Sequence, residues 1–252
     1  MRFLRFKSEE GKTGFGLLEG KSVIEVEGNI FGEYRIAKAE HRLDKIKLLP
    51  PCLPSKIVAV GLNYKDHAEE MKKDPPEEPM LFMKPSISVI GHEDKIIYPK
   101  HMSSRVDYEG ELAVVIGRKA SWVKEREAYQ YVFGYTCIND VTARDLQAKD
   151  VQYTRAKGFD TFAPIGPVIE TEIDPGNLKI TTILNGEIRQ HSRTSNLIFS
   201  VPRLLSFISH VMTLLPGDII ATGTPAGIGP MKSGDKVEVE IEGIGVLRNY
   251  VE

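Results

Sequence analysis

Apolar and polar residues alternate along most of this chain with the period of a β-strand, and only a few stretches carry the period of a helix. "MRFLRF", "GFGLLEG" and "KSVIEV" alternate and are punctuated by glycine, so residues 1–50 are expected to form a small β-rich domain. "LLPPCLPSK" follows, and its three prolines remove backbone donors and forbid helix. That places a linker there and a main domain over residues 51–252.

The main domain opens on the strand-like "KIVAVG", followed by "LNYKDHAEEMKK", which reads as a short helix to about Lys73, stopped by "DPPEEP". "MLFMKP", "ISVIG" and "YVFGYTCIND" are strand-like, and "VTARDLQAKDVQYTRAKG" has helix-compatible spacing. In "KITTILNGEIRQHS", Asn185-Gly186 between two alternating runs predicts a type I′ hairpin. "SVPRLLSFISHVMTLL" predicts a helix with Ser200 as N-cap and Pro202 in its first turn. The remainder is glycine-punctuated β structure, so the expected class is α+β and β-rich, without the strand–helix alternation of a Rossmann or TIM fold.

One stretch breaks the alternation. In "DYEGELAVVIG", Leu112 to Ile116 form an apolar run suited to a strand buried on both faces. Just before it stand Asp107, Glu109 and Glu111 at every second position, where side chains share one face and repel. A hard divalent cation bound by oxygen ligands cancels that repulsion. Two carboxylates rarely suffice, and Asp140, ending the strand-like "CIND", is the leading third ligand. The competing reading is a pair of solvated edge-strand carboxylates beside a Lys or Arg.

Three further stretches carry candidate chemistry. His67 and Glu70 in "NYKDHAEEM" share a helix face, so the carboxylate can orient the ring while the other nitrogen takes a proton; Glu69 is an alternative partner. Arg144, Gln147 and Lys157 supply donors near Asp140, suited to a substrate carboxylate or an enolate oxygen. "ATGTPAGIG" lets backbone approach a ligand, but lacks both the ending of a Walker A loop and the GxGxxG spacing.

Bulk properties narrow the class. A formal net charge of −2 gives no global attraction to nucleic acid or anionic membrane. Cys52 and Cys137 are the only cysteines, too few and too far apart for a thiolate metal site or a disulfide scaffold. "MRFLRFKSEEG" has no continuous apolar core and reads as a strand, not a leader peptide, so the expectation is a soluble cytoplasmic protein.

In order, "GLNYKDHAEE", "DYEGELAVVIG", "GYTCINDVTARDLQ", "KGFDTFAPIGP" and "ATGTPAGIG" resemble the fumarylacetoacetate hydrolase family from about Val58 to the C-terminus. The resemblance implies a mixed β-sandwich roll, generally a homodimer. It implies Mg2+ (Mn2+ or Ca2+ being alternatives) on Glu109, Glu111 and Asp140. His67, Glu70 and Lys157 match catalytic positions, and Arg144, Gln147 and Thr224 match substrate-side positions. The expected partner is a small oxo acid, with neither nucleic acid nor membrane involved. The expected reaction is C–C hydrolysis of an acylpyruvate-type substrate through an enolate. Isomerisation of a 2-hydroxyhepta-2,4-diene-1,7-dioate, oxo-acid decarboxylation, and metal and acid binding without turnover are the alternatives. The segment from Glu70 to Pro79 is expected to act as a lid.

Overall fold

The computed structural model describes all residues from Met1 to Glu252. Strands dominate and three sheets account for them. The largest has twelve strands and runs from Tyr34–Arg42 at one edge to Met80–Pro85 at the other. Its centre is formed by Ala163–Glu170, Val132–Asn139, Gly110–Ile116, Ile219–Ala221 and Lys56–Gly61. Pairing is antiparallel along this path, except where Ile219–Ala221 runs parallel to Lys56–Gly61. A five-stranded sheet includes Lys179–Leu184, Lys236–Ile241 and Gly245–Val251. A three-stranded sheet is built from Val106–Tyr108, Thr142–Ala143 and Gly229–Met231. The whole is a strand-rich α+β roll.

The run Leu112 to Ile116 shows why a strand can be apolar without alternating. Leu112, Val114 and Ile116 enter one core cluster with Ile180, Val239 and Leu247 of the five-stranded sheet and Leu204 and Ile208 of the helix Val201–Val211. Ala113 and Val115 enter a second cluster with Ile57, Ile138 and Ile165 on the other face. Each fully buried Val, Leu or Ile contributes about 1.5–3 kcal/mol, so a polar substitution on either face is costly.

The N-terminal strand Arg2–Lys7 pairs with Ala163–Glu170, and the largest sheet continues across the proline segment. Leu4 and Phe6 pack in the first cluster and Phe3 in the second.

Local elements depart from the sequence reading where backbone turns intervene. The helix expected to reach Lys73 spans Lys65–Glu70 and ends in a Schellman cap. Lys72, at φ 51°, donates its N–H to Glu69 O, and Lys73 donates to Ala68 O, both at 3.0 Å. The helix expected over 141–158 is two short ones, Arg144–Lys149 and Thr154–Lys157. The helix begun at Ser200, whose hydroxyl accepts the Arg203 N–H, stops at Val211 because Met212 is extended. In "ISVIG", Ser86–Ser88 forms a 3-10 turn and only Val89–Ile90 is strand. The hairpin forms as expected, with Asn185 at φ 53° and Gly186 at φ 87°. No helix is long and apolar enough to cross a membrane.

Candidate active site

Glu109 lies where the chain leaves one sheet for another: Val106–Tyr108 belongs to the three-stranded sheet, and Gly110–Ile116 to the largest. Gly110 permits this join because any Cβ there would sit 2.1 Å from Thr182 Oγ1. Glu111 extends the face carrying Ala113 and Val115, away from the five-stranded sheet. The Asp140 N–H donates to Glu109 O at 2.8 Å, bringing the end of Val132–Asn139 alongside. One carboxylate oxygen each from Glu109, Glu111 and Asp140 lies within 4.8 Å of the others, and all three residues are buried. Asp107 does not join them. Its carboxylate accepts from Arg105 Nε at 3.0 Å and Arg144 Nε at 2.9 Å. The shared face expected for three carboxylates therefore holds only for Glu109 and Glu111, because the strand is interrupted between the sheets.

Two buried lysines compensate part of this charge. Lys157 Nζ donates to Glu109 Oε2 at 2.9 Å and Asp140 Oδ2 at 2.6 Å. Burial opposes its charge, but the two carboxylates raise its pKa above the ordinary lysine value. Lys84 Nζ donates to Asp140 Oδ1 at 2.6 Å and Val141 O at 3.1 Å. Its pKa is lowered by burial, which Asp140 offsets only in part. Burial acts to raise Glu109, but Lys157 and Arg144 hold it down to about 2.

Glu111 is different. It forms no ion pair, and its Oε2 accepts only the Gly223 N–H, at 2.7 Å. Burial, followed by the charges of Asp140 and Glu109, pushes its pKa well above the carboxylate range. A divalent cation fits this donor set, because all three donors are hard oxygens and Glu111 is a buried carboxylate lacking a counter-charge.

His67 stands on the short helix, with Nδ1 2.9 Å from Glu70 Oε2. A carboxylate opposite Nδ1 fixes the hydrogen there and leaves Nε2 as the basic atom. Glu69 does not take the partner role. Glu70 also accepts the Gly227 N–H, at 3.1 Å to Oε1 and 3.3 Å to Oε2. Gly227, at φ 97°, admits no side chain, since a Cβ would lie 2.1 Å from Arg189 O. The glycine-rich segment thus works through backbone donors, Gly223 on Glu111 and Gly227 on Glu70.

A cavity of about 110 Å³ is lined by His67, Glu109, Glu111, Arg144, Gln147, Lys157 and Thr224, together with apolar Val60, Met71, Met80 and Phe82. Glu70 and Asp140 stand behind it, bonded to His67 and Lys157. Arg144 is already engaged by protein: Nε with Asp107, Nη1 with Gln147 Oε1 at 2.6 Å, and Nη2 with Glu109. Thr224 Oγ1 donates to Gly110 O at 3.0 Å and accepts from Gln190 Nε2 at 2.8 Å. Sequence reasoning missed Lys84 and Gln190. A lone lysine inside the apolar "MLFMKP" was a usable signal; Gln190 in an exposed-looking hairpin gave none.

The structure is a strand-rich roll whose cavity is lined by His67 and by two of three clustered buried carboxylates, and comparison with known proteins places it in a family of enzymes. The chain belongs to the fumarylacetoacetate hydrolase family: the fumarylacetoacetate (FAA) hydrolase C-terminal model matches residues 56–252, and an Rv2993c-like N-terminal model matches residues 1–51. It is 60% identical to an Archaeoglobus fulgidus protein over 233 residues, 92% of this chain and 91% of that one. It is 45% identical to the oxaloacetate tautomerase YisK of Bacillus subtilis over 225 residues, 84% of this chain and 75% of that one. It superposes on the crystal structure of 5-carboxymethyl-2-hydroxymuconate delta-isomerase from Mycobacterium smegmatis with a TM-score of 0.94 at 44% identity, covering 100% of this chain and 99% of that one.

Proposed function

We propose that this protein is a divalent-cation-dependent enzyme that forms an enolate from a short 2-oxo acid, with keto–enol tautomerisation of oxaloacetate-type acids as its reaction. The observation that carries this reading is His67 lining one cavity of about 110 Å³ with Glu109 and Glu111, while Glu70 and Asp140 complete the pair and the triad from behind. That volume is well below the roughly 300–1,000 Å³ of sites for drug-sized ligands and favours a compact acid over a long dioate. The tautomerase among the relatives supports the same choice.

Glu109, Glu111 and Asp140 would hold Mg2+, with Mn2+ or Ca2+ as alternatives. When bound, the cation supplies charge neutralisation and Lewis acidity toward the keto acid. The chain's own groups do the rest. His67 Nε2 takes a proton from the carbon beside the ketone, while Glu70 fixes the ring. The electron pair of the broken C–H bond moves to the keto oxygen, where the charge of Lys157 offsets the developing negative charge. Returning the proton to oxygen gives the enol and returning it to carbon gives the ketone. Met71, Met80 and Phe82 give that face of the cavity an apolar wall.

Hydrolytic C–C cleavage of an acylpyruvate is the second reading, favoured by the same His–Glu pair, which can equally deprotonate a water. One experiment separates them: the Mg2+-loaded protein is given enol-oxaloacetate and, separately, acetylpyruvate. Faster loss of the enol, abolished by EDTA and without release of pyruvate from acetylpyruvate, supports tautomerisation. EDTA-sensitive pyruvate release assigns hydrolysis, and an EDTA-insensitive rate on both overturns the proposal.

A further inference from the structure

The basic side chains lining the cavity are unequally used. His67 is paired with Glu70, Lys157 with Glu109 and Asp140, and Arg144 with Asp107 and Glu109. The third Arg144 nitrogen is taken by Gln147. Lys73 also lines the cavity, yet its ammonium pairs with no carboxylate in the molecule. Its backbone is held by the cap: the Schellman turn at Lys72 redirects the chain, and the bond from Lys73 N–H to Ala68 O anchors the residue three positions past the helix end at Glu70, with its side chain exposed. Around it the wall is apolar, with Met71, Met80 and Phe82. The cavity therefore combines two lining carboxylates, Glu109 and Glu111, with one unpaired, exposed cation beside hydrophobic side chains.

We propose that Lys73 is a specificity-determining residue that binds the distal carboxylate of a dicarboxylic 2-oxo acid, selecting such acids over monocarboxylic ones. This rests on the reading of the site as one for 2-oxo acids. The keto-acid head is the end complementary to a cation on the triad, which leaves Lys73 as the unpaired cation among the lining residues for a second carboxylate. Arg144 cannot serve without releasing Asp107, Glu109 or Gln147. A cavity of about 110 Å³ keeps the two ends within reach of one short acid. Placed after the cap and not on the helix, Lys73 adds selectivity without entering the proton transfer.

The test compares wild type, Lys73→Met and Lys73→Arg, each loaded with Mg2+. It measures KM and kcat for oxaloacetate and the inhibition constant of oxalate, which carries the chelating head but nothing to reach the rim. In Lys73→Met, KM for oxaloacetate should rise roughly two- to fivefold, as expected for one exposed charge pair. Oxalate inhibition should stay unchanged, and Lys73→Arg should recover most of the loss. An unmoved KM, or a parallel weakening of oxaloacetate and oxalate, would overturn the proposal, the latter because it marks a collapsed cavity. If wild type turns over no oxaloacetate, the tautomerase reading fails by itself. Calorimetric binding of oxaloacetate and oxalate to the same three proteins then decides the role of Lys73, and absence of binding to wild type overturns it.

Discussion

The carboxylate of Glu70 accepts the backbone N–H of Gly227 at 3.1 Å, joining residues 157 positions apart while also holding Nδ1 of His67. His67, the base proposed above, is thus oriented through Glu70 by a glycine of the distant loop that also carries Gly223, the donor to Glu111. Glu70→Gln keeps an acceptor for Gly227 but loses the negative charge opposite the imidazole. Its kcat should fall about 100-fold with little change in melting temperature. Glu70→Ala should lose at least as much activity and also some stability. Steady-state kinetics with calorimetric melting separate the two, and equal melting losses in both variants would contradict the account.

Lys84→Met tests the buried pairing behind the cavity. Removing the cation leaves Asp140 Oδ1 without its partner in a fully buried place, although Lys157 still holds Oδ2. Breaking one such pair costs about 3 kcal/mol of unfolding free energy. Urea titration in EDTA reads this directly, and saturating Mg2+ should narrow the gap by restoring positive charge beside Asp140.

Cation binding should be visible without any substrate. A cation at 100 times its dissociation constant stabilises by about 2.7 kcal/mol. Thermal melting of wild type should rise with added Mg2+ or Mn2+ and fall back with EDTA. Glu111→Gln should lose that response while the cation-free variant melts no lower than wild type, because a buried, unpaired carboxylate has been removed. A full metal response in the variant would place the ion elsewhere.

Asp145 carries a pH signature. Its burial acts to raise the pKa, but the Ser103 hydroxyl at 2.6 Å, the Ser104 N–H and hydroxyl, and the Leu146 N–H hold it down to about 2. A carboxylate lowered in the folded state stabilises above its unfolded value near 3.8 and loses that contribution as pH falls toward 2. After allowance for solvent the contribution is on the order of 1 kcal/mol. Asp145→Asn should be less stable at pH 7 by that amount, and the difference should shrink as pH falls from about 4 and vanish only below about pH 2 in urea titrations.

Lys72→Gly should gain about 1 kcal/mol. The left-handed conformation at φ 51° costs a side-chain-bearing residue what glycine does not pay. Urea titration checks the gain, and a neutral or destabilising result would contradict the cap.

The sequence made the two-faced strand, the Asn185-Gly186 turn and the Ser200 cap legible because each is decided by neighbouring residues. The spacing of Glu109 and Glu111 was legible for the same reason, since a strand's period survives any tertiary arrangement. Asp107 was misplaced because the strand breaks between two sheets, and nothing local announces where pairing partners change. The long helix around Arg144 failed similarly: Asp150 is extended, and the chain is redirected by its tertiary surroundings. Lys84 stood out as a lone lysine in an apolar run, but its partner, 56 residues away, was not legible, and Gln190 was missed because its amide reaches Gly110 and Thr224 across sheets. Arg144, matched to a substrate position, is bound by protein on all three nitrogens, a fact that only the folded geometry displays.

The seam at Glu109 has a mechanical consequence. Its side chain is rooted where two hydrogen-bonded layers meet, so any slip of one layer past the other changes the spread of the oxygens. An ion seated there acts as a rivet whose retention reports the tightness of the joint. Substitutions far from the cavity that loosen either layer should therefore show first as faster loss of the metal, well before the fold itself gives way.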